Sequence, residues 1–146
     1  MHIDPQEALV LLPRVDLGRT RSGKAVGLRD GAVLALVAVG LSTIEIAALR
    51  ASDVTMTHRK VLVLVRRNGV PWFARLPSTL GGRLMVWLSE ANIWNLQEPL
   101  FRGCRGPLTP MGIWKIYDRY RKPRARARRS LHLVPKQPTT ARGRAA

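Results

Sequence analysis

Carboxylates are scarce in this chain. Its 146 residues hold 9 Asp and Glu against 25 Lys and Arg, for a formal net charge of +16 and a pI of about 11.7. That imbalance excludes a self-neutralised surface and calls for a polyanionic partner. Cysteine is nearly absent too. With Cys104 alone no internal disulfide can form, which fits a reducing compartment such as the cytoplasm. Long apolar runs are missing, and the richest stretch, Ala32 to Val39, is too short to span a bilayer. The start, Met1-His2-Ile3-Asp4-Pro5, lacks the basic opening and apolar core of a signal peptide, so no membrane partner is expected. His2, His58 and His132 lie far apart without metal-ligand spacing, so no metal or other cofactor is expected.

What is present suffices for one folded domain. Hydrophobic residues make up 46% of the chain. Pro5 to Leu12 reads as a short amphipathic helix, with Asp4 as N-cap and proline in first position. Residues 13–27 lack periodicity and read as a loop. Leu28 to Val39 reads as a buried helix ended by Gly40, because glycine enters the left-handed region cheaply. Ser42-Thr43-Ile44-Glu45 has the spacing of a capping box, opening a helix to about Leu49 with Ile46 and Leu49 toward the core. Glu45 and Asp53 are therefore cap residues rather than a catalytic pair.

Strands follow. Val54 to Met56 starts a sheet, and Val61 to Val65 is β-branched and short. Asn68-Gly69 signals a hairpin, and Pro71 to Leu76 returns as an edge strand. Thr79 to Trp94 places Leu80, Leu84, Trp87 and Leu88 on one helical face. Pro99 to Pro107 is turn-rich. Thr109 caps a last helix that begins at Pro110 and runs to about Tyr120. From Arg121 the chain is Arg, Pro, Ala and Thr, with little to bury, and reads as a disordered tail. The expected class is mostly α (α+β), with helices around a small three-stranded antiparallel sheet. The expected division is a domain over 1–122 and a basic tail over 123–146.

The segment from Gly27 to Val54, GLRDGAVLALVAVGLSTIEIAALRASDV, resembles the opening of the catalytic domain of tyrosine recombinases, the phage integrase family. Leu76-Pro77, Pro99-Leu100-Phe101 with Gly103, and Leu108-Thr109-Pro110-Met111-Gly112-Ile113-Trp114-Lys115-Ile116-Tyr117 extend the likeness in the family's order. It covers roughly residues 5–122, the first half of such a domain. The chemistry of the family does not follow. Strand cleavage needs a tyrosine nucleophile and cations around the scissile phosphate. Ser42 stands where the family carries its first catalytic arginine. Arg67 falls near the family's hairpin lysine, but arginine holds its proton too tightly for a good general acid. Leu131 to Thr139 has the lead-in of the His-x-x-Arg box, with Lys136 at the histidine and Thr139 at the arginine. The last tyrosine, Tyr120, precedes that box, so no residue matches the nucleophile. The resemblance implies a catalytically inactive DNA-binding protein, an accessory or transcriptional regulator on a mobile element, associated with the nucleoid.

The candidate contacts to double-stranded DNA are basic. Arg119, Arg121, Lys122, Arg124, Arg126, Arg128 and Arg129 form the densest run, and Lys115 lies one helical turn before Arg119. Arg66, Arg67 and Arg75 flank the hairpin and can grip the phosphate backbone. Trp87 and Trp114 read as core. Other readings stay open. Residues 33–60 also suit a helix-turn-helix repressor, with a reading helix from about Ser52 to Lys60. The chain can also be half of a split recombinase, a basic RNA- or ribosome-associated protein, or a gene remnant. A second copy of the chain or a recombinase are further candidate partners.

Overall fold

A computed structural model describes residues 3–15 and 24–122. Helix α2 (Lys24–Ala38) forms the centre, and seven of its residues from Leu28 to Val37 are buried apolar side chains. A helix that is apolar all round must be surrounded. Its neighbours are α1 (Pro5–Leu11), α3 (Thr43–Ala47), α4 (Ser78–Ala91) and α5 (Pro110–Arg121). The three-stranded antiparallel sheet, β1 (Val54–Thr57), β2 (Lys60–Arg67) and β3 (Val70–Leu76), is a meander with β2 in the middle. The fold is thus α+β, with five α-helices among the described residues.

Local signals set most boundaries. Asp4 caps α1 by accepting from the Gln6 N–H at 3.0 Å. At the end of α2, Gly40 has φ +100°, its N–H donates to the Val37 carbonyl, and the Leu41 N–H donates to that of Leu36. That pair of bonds satisfies carbonyls the helix itself leaves open. The capping box of α3 is complete. The Glu45 N–H donates to Ser42 Oγ at 3.1 Å, and the Ser42 N–H donates to Glu45 Oε1 at 2.9 Å. Asp53 caps a short 3-10 turn by accepting from the Arg50 N–H. Thr109 caps α5 through the Gly112 N–H at 3.0 Å.

Hydrophobic alternation sets the sheet. Val54, Val61, Val63, Val65, Ala74 and Leu76 are buried on its inner face. Helix α4 lies directly on that face. A Cβ at Gly81 would fall 2.9 Å from the Val61 Cγ2, so only glycine allows this approach. Trp87 donates its indole N–H to the Leu100 carbonyl at 2.8 Å and stacks on Phe101. The loop after α4 is thereby sealed onto the core.

Several expectations need correction. Residues 24–27, read as loop, are the first turn of α2. Helix α3 stops at Ala47 rather than near Leu49. Helix α4 stops at Ala91 rather than Trp94, because Asn92 adopts the left-handed conformation at φ +55°. The loop before α5 contains a small hairpin of β4 (Arg102–Gly103) and β5 (Gly106–Pro107). The helix proposed from Ser52 to Lys60 does not exist. That stretch is the 3-10 turn Ala51–Asp53, strand β1 and a turn, as its β-branched residues Val54, Thr55 and Thr57 favour. The tail read as disordered, residues 123–146, lies outside the described residues. Among those residues no helix is long and apolar enough to cross a membrane.

Candidate nucleic-acid interface

The alternation that buries Val61, Val63 and Val65 sends Lys60, Leu62, Leu64 and Arg66 to the opposite face of the sheet. Arg75 pairs with Leu62 and Phe73 with Leu64 in the register, so both share that outer face. Phe73 is 58% exposed. The sequence holds no carboxylate between Asp53 and Glu90. Among the described residues, Lys60, Arg66 and Arg75 form no ion pair. This face is cationic and open.

Arg67, one position on, behaves differently. Its guanidinium donates to Glu45 Oε2 at 2.7 Å and Oε1 at 2.8 Å, and to the Gly40 carbonyl at 3.2 Å. It also lies 4.9 Å from the Trp72 ring centroid, a cation–π distance. The Arg67 guanidinium holds the Glu45 carboxyl below its ordinary pKa, with partial burial working against it. Glu45 thus serves two partners, the Ser42 N–H and Arg67. The surroundings of Ser42 are organised by a cap and an ion pair that meet at Glu45.

Helix α5 divides in the same way. Lys115 is exposed and forms no ion pair among the described residues. Arg119 donates to Asp30 Oδ2 at 3.1 Å. Asp30, on α2, is fully buried and also accepts from Arg29 at 2.9 Å and from the Tyr120 hydroxyl at 2.7 Å. Three donor groups converge on one carboxylate, which is what a buried charge requires. Arg121 and Lys122 both pair with Asp118, at 2.7 and 3.4 Å. Arg124, Arg126, Arg128 and Arg129 lie outside the described residues.

The chain contains two tyrosines, and both hydroxyls are taken. Tyr120 donates to Asp30, and burial followed by that bond pushes its pKa upward. Tyr117 donates to Glu7; burial, then the Glu7 carboxylate, raises its pKa to about 12. A phenol held protonated against a carboxylate is a poor nucleophile. Trp87 is core, and Trp114 is partly buried 5.3 Å from Tyr117, with Arg121 over its ring. Cys104 is an exposed thiol in the turn between β4 and β5.

The residues singled out from sequence therefore fall into two groups. Arg66, Arg75 and Lys115 are exposed and without ion pairs among the described residues, while Arg67, Arg119, Arg121 and Lys122 are internally paired. Sequence reading overlooked Lys60 and Phe73. The signal was available in the period of two along β2, which sets Lys60 and Arg66 on one face. No protein-family model and no curated protein matches the chain.

Proposed function

We propose that this chain is a DNA-binding protein related to tyrosine recombinases that does not cleave DNA and acts as an accessory or regulatory factor on mobile DNA. The observation that carries this reading is the outer sheet face, where Lys60, Arg66 and Arg75 stand with no carboxylate paired to them among the described residues. A +16 chain whose unpaired cations share a surface matches a regular array of phosphates. Two features support the absence of cleavage. Ser42 supplies a cap where the family carries a catalytic cation, and both tyrosine hydroxyls donate to carboxylates.

The test offers the full chain a duplex and a nicked suicide substrate. The expected result is salt-sensitive duplex binding with no covalent protein–DNA adduct. An adduct from this chain alone would overturn the non-cleaving reading. An adduct that appears only after a second polypeptide is added would support the split recombinase instead.

A further inference from the structure

We infer that the outer face of the β2–β3 ribbon is the base-reading surface, entering the major groove of duplex DNA, with Phe73 and Arg75 contacting base edges. The inference rests on the DNA-binding reading above and deepens it. Its first support is shape. Strand β1 pairs with β2 only from Lys60 to Val63. Beyond that point Leu64 to Arg67 and Val70 to Phe73 continue as a two-stranded ribbon, which carries Arg66 and Phe73, while Lys60 and Arg75 sit at its base, where β1 also pairs. Adjacent strands lie about 4.8 Å apart, and the major groove, about 12 Å wide, admits a two-stranded ribbon.

The second support is the order of residues on the face. Lys60 and Arg66 stand at its two ends, roughly 20 Å apart along β2 at about 3.4 Å per residue. Between them lie Arg75, opposite Leu62, and Phe73, opposite Leu64. Cations at the two ends can each reach a backbone phosphate along the groove. An arginine in the middle can take guanine O6 and N7 together, and an exposed aromatic ring can cover a thymine methyl. A fully solvated phosphate binder has no use for an exposed Phe at its centre, whereas a base reader does.

The third support concerns the rival occupant. Strand β3 is an edge, and a second chain could extend the sheet there. Pro71 lies in that edge strand and has no N–H to offer, which opposes strand addition. Helix α5 is a weaker reader, because Arg119 and Arg121 are held by Asp30 and Asp118.

The experiment selects duplexes from a random-sequence library with the full chain, then measures affinities for the enriched and the random duplex. Phe73→Ala and Arg75→Ala are compared with Arg105→Ala, an exposed arginine in the β4–β5 turn, as control, and denaturation midpoints verify that each variant is folded. The enriched motif is expected to lose about tenfold or more in affinity for the two sheet variants, while their random-duplex affinity changes by less than about threefold. Random duplex bound without any enriched motif overturns this inference and leaves the proposed function standing. A motif that survives both sheet variants, or tighter binding to single strands, also overturns it. Absence of all nucleic-acid binding overturns both.

Discussion

The outer face of the sheet and the C-terminal half of α5 are both arginine-rich, yet the fold treats them differently. Along α5 and just after it the cations are paired within the chain: Arg119 reaches the buried Asp30, and Arg121 and Lys122 share Asp118. On the sheet, Lys60, Arg66 and Arg75 face solvent and pair with no carboxylate among the described residues. Positive charge in sequence is therefore not equivalent to a binding surface. On α5 Arg119 ties one helix to another and the other two cations are met locally by Asp118, whereas the sheet cations have no such partner among the described residues.

Substitutions separate the two roles, and Asp30→Ala has the largest expected effect. It leaves Arg29 and Arg119 without their buried partner, which costs about 3–5 kcal/mol for a broken buried pair. Urea denaturation measures it, and a loss below about 1 kcal/mol would mean that α5 is not held this way. Next comes Ser42→Ala, expected to cost about 0.5–2 kcal/mol through removal of the N-cap. An unchanged midpoint would show that the cap adds nothing. Ser42→Arg removes the same cap and is not expected to restore strand cleavage on a suicide substrate.

Glu45→Gln gives a smaller effect with a pH signature. The Glu45 pKa is lowered from its ordinary 4.5, chiefly by Arg67, so its charged form stabilises the fold. That stabilisation is present above the unfolded value and is lost as pH falls through the lowered folded value. Wild type should exceed Glu45→Gln in stability near neutrality, and the gap should close in acid. A gap that persists at low pH would assign the effect to packing rather than charge. The smallest effect on stability belongs to the double variant Lys60→Ala, Arg66→Ala. Its midpoint should stay within about 0.5 kcal/mol of wild type. Its salt dependence of duplex binding should flatten by about 0.9 for each phosphate that is no longer neutralised. An unchanged slope would break the contrast between the two regions.

Elements were legible where their signals are local. Asp4, Gly40, the Ser42–Glu45 box, Asn68-Gly69 and Thr109 each act within a few residues, and each turned up in its expected role. The hairpin of β4 and β5 escaped because two-residue strands carry no periodicity. The β1–β2 turn escaped because His58 and Arg59 both adopt positive φ without being glycine or asparagine. The candidate site was legible only in part. Arg66 and Arg75, expected to flank the hairpin, are exposed there. The partners of Arg67 and Arg119 lie 22 and 89 positions away in sequence, so no local pattern reveals that these cations are already engaged.

The Asp30 clamp also fixes an origin. Arg119 and Tyr120 are both bound to it, and the Arg14 guanidinium donates to the Tyr120 carbonyl. Lys122, where the described structure ends, follows two residues later. The last turn of α5 is therefore tied to α2 and to the segment after α1. Under the proposed function, a further contact made from beyond Lys122 would share the domain's duplex at an effective concentration on the order of millimolar for a short linkage. A buried carboxylate inside the domain would in that way bear on avidity, a role distinct from its part in stability.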